Sequence, residues 1–162
     1  MLLTLWRHGE AGSAAIDEVR ALTARGREEV IAMASGFAAW VGASAPPVSL
    51  LRYSPFRRTI QTAELLGELL CPSSKGVDPS LAPGAYPDAF SEQDYAGHEH
   101  VVMVSHQPFL SQAIALWTDD VTLAALAPGG YSTLEVTCLE RGGAALIRHC
   151  PDPRNHISEA QT

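Results

Sequence analysis

Short apolar runs alternate along the chain with longer segments of helical periodicity, an order typical of an α/β protein. The apolar runs at residues 2–6, 48–53 and 100–105 are short and uninterrupted, which predicts buried strands. In residues 23–41 apolar positions recur at helical spacing after Thr23, a residue favoured at a helix N-cap. Because strands alternate with helices, the sequence predicts a three-layer α/β sandwich with a mainly parallel central sheet.

Further segments extend this pattern. A second helix is predicted from Ser54-Pro55 to about residue 70, because Ser is a favoured N-cap and Pro a favoured first helical residue. Residues 107–118 predict a third helix, and residues 131–139 and 143–149 predict two strands joined by a tight turn. Residues 71–99 are rich in Pro, Gly, Ser and Asp, so we expect a mostly irregular segment with one short strand and a short helix.

Length and composition indicate one domain followed by a short tail. The chain has 162 residues, of which 46% are hydrophobic, enough for one packed core. We expect a single domain over residues 1–150 and a polar C-terminal tail over 151–162. The chain lacks an apolar run long enough to span a membrane and a recognisable secretion signal, so the sequence predicts a cytoplasmic protein with no membrane partner.

Charge and the metal-ligating residue types narrow the function further. The formal net charge of −7 argues against a nucleic-acid partner. The three cysteines have no metal-site spacing and are expected to be free thiols. His98 and His100 lie in a polar, Gly-containing segment and are expected to be solvent-exposed rather than a metal pair. We therefore expect neither a metal nor a cofactor.

Polar residues follow three of the predicted strands at the points where the strands end. Arg7-His8 follow the first, Ser54 with Arg57-Arg58 the second, and Ser105-His106 the third. The carboxyl ends of parallel strands meet at one edge of a sheet, where α/β proteins bind ligands. Arginine forks bind phosphate oxygens bidentately, and a neutral histidine can act as a nucleophile. A helix beginning near Gln107 would direct backbone N–H groups at the same anion.

Helical spacing separates the two adjacent arginines. Arg57 begins a polar row on the second helix, whereas Arg58 begins the row of Thr62, Leu65 and Leu69, which is predicted to face inward. Arg58 is therefore the better candidate for an anion site. The alternative is that Arg58 pairs with a carboxylate at the helix surface.

Four motifs resemble those of one protein family. The segment LWRHGEA is similar to the RHG motif of the histidine phosphatase superfamily, whose fold is phosphoglycerate mutase-like. LTARG resembles that family's LTxxG helix start, SPFRRTIQTAELL its SPxxRAxQTA motif, and VVMVSHQP the strand end that carries its second histidine. The motifs occur in the family's order. The chain's size and its sequence Ser105-His106-Gln107-Pro108, an SHxP pattern, resemble the SixA-type branch.

The resemblance implies a role for each matching residue. His8 would be the nucleophile that becomes phosphorylated, and Arg7, Arg58 and His106 would bind the phosphoryl group. Gln107 joins this phosphate-binding set because the predicted helix begins there. The Gly9 carbonyl would orient the His8 ring, and no metal would take part. The SixA-type branch implies a phosphatase of protein phosphohistidine in signal transduction, with a phosphorylated histidine-containing phosphotransfer protein as its partner.

The sequence departs from the wider family in two respects. It lacks the long insertion that caps the site in mutases and many small-molecule phosphatases, and it has no aligned general acid. Asp88, Glu92 and Glu10 are open candidates for that acid. An alcohol needs a proton when it leaves, whereas imidazole leaves as a neutral ring once its other nitrogen is protonated. The missing acid therefore favours a phosphohistidine substrate.

Two alternative functions remain at this point. One is a small-molecule or broad-specificity phosphomonoesterase with the same His8 chemistry. The other is a non-catalytic module that binds a phosphoprotein, although the chain retains all four core residues of the motif set, His8, Arg7, Arg58 and His106.

Overall fold

A computed structural model describes residues 1–157, and within them one mixed sheet contains six strands in the order β3-β2-β4-β1-β5-β6. The strands are β1 (Leu2–Arg7), β2 (Leu50–Tyr53), β3 (Ser74–Val77), β4 (His100–Ser105), β5 (Tyr131–Val136) and β6 (Ala144–Cys150). β1 pairs in parallel with β4, and β2 pairs in parallel with both β3 and β4. β5 runs antiparallel to β1 and to β6. The sheet is therefore mainly parallel, as predicted.

Helices cover both faces of this sheet. They are α1 (Ala24–Ser44), α2 (Arg57–Leu70), α3 (Phe109–Thr118) and α4 (Pro153–Ile157). Trp6 of β1 packs in one buried cluster with residues of α1 and α2. Leu5, its neighbour in the strand, points to the opposite face and joins the cluster that includes α3. The predicted three-layer α/β architecture is confirmed.

Helix α1 begins where its capping residue predicts and packs closely on the loop that follows β1. The Thr23 side chain accepts a hydrogen bond from the Gly26 amide at 2.9 Å, as an N-cap residue does. A Cβ atom on Gly26 would overlap the backbone of Glu10. The absence of a side chain at Gly26 therefore allows the helix to approach the loop after β1.

The start and the buried face of α2 differ from the prediction. The helix begins at Arg57 with Phe56 as its N-cap. Ser54 lies outside the helix, where its hydroxyl accepts the Phe56 amide at 3.4 Å, so it is not the N-cap. Leu66 is fully buried whereas Leu69 is 40% exposed. The side of α2 that packs on the sheet is centred on Thr62 and Leu66, and Leu69 lies towards the helix end beyond it.

The segment between α2 and β4 contains the predicted short strand, β3, followed by three short 3-10 helices at residues 79–81, 87–89 and 92–95. Leu81, Phe90 and Tyr95 from this segment are buried in the core beside α3. The expected exposure of His100 is wrong: it belongs to β4, is fully buried, and lies 2.9 Å from the Thr4 hydroxyl. Because Thr4 and the Pro46 carbonyl provide partners for both ring nitrogens, this histidine is accommodated in the core.

Part of the predicted tail packs on the domain. The Pro151 carbonyl accepts the Ala127 amide at 2.8 Å, Pro153 is buried, and α4 contacts α1. Residues 158–162 lie outside the described residues, and the division at residue 150 stays a prediction. None of the helices within residues 1–157 combines the length and the hydrophobicity that a membrane span needs.

Candidate active site

The sheet brings the carboxyl ends of β1, β2 and β4 together at one edge. β4 lies between β2 and β1, and all three run in parallel. The His8 amide donates to the Ser105 carbonyl at 3.3 Å, and the Ser54 amide donates to the Val104 carbonyl at 3.1 Å. His8, Ser54 and His106, each the first residue after its strand, therefore share this edge.

His8 is held in one orientation and one tautomer. The residue is 8% exposed, and Nδ1 of its ring lies 2.8 Å from the Gly9 carbonyl oxygen. A carbonyl oxygen only accepts, so Nδ1 carries the hydrogen and Nε2 keeps its lone pair. Burial lowers the pKa of His8 to about 4, with the Arg58 charge acting in the same direction. At neutral pH the ring is therefore a neutral imidazole, the form that can act as a nucleophile.

His106 lies beside His8, with 5.2 Å between the ring centroids. Its Nδ1 is 3.3 Å from Nη2 of Arg58, and its Nε2 is 2.8 Å from the Ser54 hydroxyl. A guanidinium only donates, so Nδ1 accepts and the neutral ring donates from Nε2 to Ser54. Burial lowers the pKa of His106 to about 3, and His8 and Arg58 add to the effect. Both imidazoles are thus neutral in this site.

Arg58 connects the two histidines from the first turn of α2. It is 4% exposed, donates from Nε to Nε2 of His8 at 3.2 Å, and lies over the Phe56 ring at 5.0 Å. Arg57, the preceding residue, is exposed. The structure therefore places only Arg58 of this pair with His8 and His106.

Arg7 brings a second guanidinium to the same edge of the sheet. Its Nη1 donates to the Leu126 carbonyl at 2.8 Å, while its buried Nε has no hydrogen-bond partner among the described residues. Burial lowers the pKa of Arg7, and the nearby charge of Arg58 lowers it further. Two guanidiniums at one edge of the sheet, one of them with an unpaired buried donor, provide positive charge and hydrogen-bond donors that favour an oxyanion.

Gln107 is placed differently from the prediction. Helix α3 begins at Phe109 rather than near residue 107, and the Gln107 side-chain oxygen accepts the Ser111 amide at 3.1 Å within its first turn. Its side-chain amide donates to the Leu126 carbonyl at 3.3 Å, the same oxygen that binds Arg7. The side chain therefore stabilises the start of α3. Its backbone N–H, directly after His106, has no acceptor among the described residues.

Asp17 is a site residue that the sequence analysis missed. It lies in a short 3-10 helix, Asp17–Val19, and its Oδ2 is 3.1 Å from Nη2 of Arg58. Its Oδ1 is 3.0 Å from Nη1 of Arg20. Hydrogen bonds from Arg20 and then from Arg58 lower the pKa of Asp17, so it is ionised at neutral pH. The spacing of Asp17 and Arg20 is a signal of a local ion pair, but no pattern in the sequence connects it to Arg58.

The three predicted general-acid candidates form no described hydrogen bond with the two histidines or Arg58. Glu10 accepts the Thr23 hydroxyl at 2.8 Å, at the start of α1. Glu92 accepts the Leu139 amide at 3.0 Å, beside the turn between β5 and β6, and this bond lowers the pKa of Glu92. Asp88 is an exposed residue of the 3-10 helix at 87–89. The contacts of the described residues therefore assign none of them to the site.

Comparison with solved structures identifies the fold family. Neither a protein-family model nor a curated protein sequence matches the chain. The structure of the protein histidine phosphatase SixA complexed with tungstate is 27% identical, with a TM-score of 0.80 over 96% of this chain and 99% of that chain. A protein assigned as phosphohistidine phosphatase SixA from Agrobacterium tumefaciens is 18% identical, with a TM-score of 0.75 over 91% and 95% of the two chains.

A small-molecule phosphatase shares the same fold. The mycobacterial glucosyl-3-phosphoglycerate phosphatase, in complex with VO3, is 17% identical and has a TM-score of 0.68 over 93% of this chain and 99% of that chain. The likeness at this identity concerns the fold. Taken with the motif order and the sheet topology, these structural relationships show that the chain has the phosphoglycerate mutase-like fold of the histidine phosphatase superfamily and is similar to its SixA-type members.

Proposed function

We propose that this protein hydrolyses protein phosphohistidine through a covalent phosphohistidine intermediate on His8. The observation that carries the proposal is the neutral His8 ring, whose Nε2 lone pair faces the buried Arg58 beside a second neutral histidine. An unprotonated Nε2 held among donors that bind phosphoryl oxygens is what in-line attack on phosphorus requires. Arg7, Arg58, His106 and the backbone N–H of Gln107 would then bind the phosphoryl oxygens.

The reaction would proceed in two displacements at phosphorus. In the first, Nε2 of His8 gives up its hydrogen bond from Nε of Arg58 and forms a bond to phosphorus as the P–N bond of the substrate breaks. The substrate imidazole leaves with a proton on its other nitrogen. In the second, water attacks the phosphorylated His8, which releases inorganic phosphate and restores the free ring. The Gly9 carbonyl holds the Nδ1 hydrogen and would stabilise the positive charge of the ring in the intermediate.

The choice of a phosphohistidine substrate follows from the leaving group. Glu10 and Glu92 are engaged elsewhere, and Asp17 is ionised by its two arginines, so these three carboxyls are poorly suited to protonate an alkoxide. Asp88 is exposed and has no described contact with the two histidines or Arg58. An imidazole leaving group needs no such acid. The likeness to the protein histidine phosphatase SixA supports a phosphohistidine substrate. The tungstate bound in that structure is a tetrahedral oxyanion like phosphate, which supports a phosphoryl-binding site.

A phosphomonoesterase for small substrates is the second candidate function. It is favoured by the shared fold with the mycobacterial glucosyl-3-phosphoglycerate phosphatase and with an alpha-ribazole phosphatase from Shigella flexneri. A module that only binds phosphoproteins is a third candidate, and measurable turnover would exclude it.

The test compares substrates on one enzyme preparation. Loss of phosphate from phosphorylated histidine-containing phosphotransfer proteins is measured beside hydrolysis of sugar phosphates, with and without EDTA. We expect kcat/KM for a phosphoprotein to be at least about 10²-fold higher, the smaller end of what a general acid contributes to ester cleavage. We expect EDTA to leave the rate unchanged, because arginines supply the positive charge. Equal or faster turnover of sugar phosphates would favour the phosphomonoesterase, and loss of activity in EDTA would contradict metal-independent chemistry.

A further inference from the structure

Arg58 uses every one of its N–H groups within the protein. A guanidinium has five N–H donors. Nε donates to His8, and one Nη2 hydrogen bond, at 3.3 Å, goes to Nδ1 of His106. The other three bonds go to Asp17: from Nη1 to its carbonyl oxygen at 2.9 Å and to Oδ1 at 3.3 Å, and from Nη2 to Oδ2 at 3.1 Å. The two carboxylate oxygens of Asp17 thus bind both terminal nitrogens of Arg58.

This pairing matches the way a phosphoryl group binds arginine. Carboxylates and phosphates both place two oxygens on two parallel N–H groups of the fork. A phosphoryl group that binds Nη1 and Nη2 of Arg58 therefore needs the same donors that the Asp17 carboxylate occupies. The two anions also repel each other at such short range.

We propose that Asp17 is a built-in competitor for the phosphoryl group at Arg58. The carboxylate releases Nη1 and Nη2 when phosphoryl oxygens bind them, so Asp17 sets the affinity of the site for inorganic phosphate and phosphorylated substrates. This inference rests on the phosphoryl-binding role of Arg58 in the proposed function. A lowered affinity for the anion also speeds release of the phosphate product.

The surroundings of Asp17 permit this exchange. Its side chain is 51% exposed, so the carboxylate is hydrated on release from Arg58. Arg20 already contacts Oδ1 at 3.0 Å and is itself held by the Gly12 carbonyl at 2.8 Å, so the released carboxylate keeps an ionic partner. The Asp17 carbonyl oxygen also accepts from Nη1, and this backbone contact can still orient Arg58 when the side-chain charge is removed.

Calorimetric titration with inorganic phosphate, and separately with tungstate, tests the proposal directly. Asp17→Asn removes the charge and keeps the side-chain shape, and Asp17→Ser provides a second variant that removes the charge. Glu18→Gln is the matched control, because Glu18 is the adjacent exposed carboxylate of the same 3-10 helix. We expect both Asp17 variants to bind each anion roughly threefold to tenfold more tightly than wild type, and the control to bind as wild type does.

The direction of the change separates competition from a structural role. Loss of a residue that only supports the loop would weaken anion binding, so unchanged or weaker binding in both Asp17 variants overturns the proposal. Arg58→Ala distinguishes this failure from failure of the proposed function. If Arg58→Ala abolishes anion binding while the Asp17 variants bind no more tightly than wild type, only the proposal of competition by Asp17 is wrong. If phosphate binds neither wild type nor any variant, or binds Arg58→Ala with wild-type affinity, the proposed phosphoryl-binding role of Arg58 is wrong as well.

Discussion

Arg57 and Arg58 are adjacent in sequence, yet they lie in opposite environments. Arg58 is buried and contacts both histidines, whereas Arg57 is exposed at the start of α2. We expect Arg58→Ala to slow phosphohistidine hydrolysis by about 10²–10³-fold, as loss of one oxyanion donor does. Arg57→Ala should change the rate little, because its side chain faces solvent.

Steady-state rates of both variants check this contrast, once thermal melting has shown that each folds. A slow Arg57→Ala with an unaffected Arg58→Ala would mean that α2 is rotated relative to the site. Full activity in both would mean that the phosphoryl group is bound by other residues.

The depressed pKa of His8 predicts a pH dependence of stability. Its pKa is about 4 in the folded protein against about 6.5 for an unperturbed histidine, so below pH 6.5 the unfolded chain binds a proton that the folded chain does not. With respect to His8, the folded protein therefore has its full stability above pH 6.5 and loses stability as the pH falls towards 4. The slope for one imidazole is at most about 1.4 kcal/mol per pH unit.

Urea unfolding of wild type and His8→Gln at pH 7, 6 and 5 measures this contribution. We expect the free energy of unfolding of wild type to fall more steeply than that of His8→Gln, whose side chain does not titrate. Parallel curves would show that burial does not depress the pKa of His8.

At the scale of elements, the approach of α1 to the loop after β1 depends on one glycine. A Cβ on Gly26 would overlap the Glu10 backbone, whereas a Cβ on Gly36 of the same helix would have no neighbour within 4 Å. We expect Gly26→Ala to destabilise the fold and to slow turnover, because the loop that carries His8 and Gly9 must shift. Gly36→Ala should stabilise the protein by about 0.5–1 kcal/mol through helix propensity alone.

Chemical denaturation and phosphohistidine hydrolysis of the two variants check this pair. Equal effects of the two substitutions on stability would mean that helix propensity, and not the contact with Glu10, governs both positions.

The elements show where sequence patterns suffice and where they fail. The strands and the N-cap of α1 were predictable because apolar periodicity and the capping side chain are local signals. The exposure of Leu69 was not, because it depends on where the core ends along α2. His100 was misplaced because its partners, Thr4 and Pro46, are distant in sequence. Asp17 was missed for the same reason: its contact with Arg58 spans 41 residues.

At the scale of the whole molecule, the order of strands creates the site. β4 inserts between β1 and β2, so the residues that follow three separated segments of sequence lie side by side. The turn before β5 supports them: the Gly129 amide donates to the carbonyls of Arg7 and His8, and the Ala127 amide of the same turn donates to the Pro151 carbonyl after β6. The site is thus a product of the complete fold rather than of one motif.

The most direct test of the account is to trap the covalent intermediate. Wild type and His8→Ala are mixed with a phosphotransfer protein labelled on histidine with radioactive phosphate, then quenched within milliseconds in alkaline detergent, where phosphohistidine is stable. Peptide mass spectrometry then locates the label. The account predicts a label on the His8 peptide of wild type, its loss in acid, and neither label nor turnover in His8→Ala. Turnover by His8→Ala, or a phosphoenzyme labelled at any other residue, would contradict it.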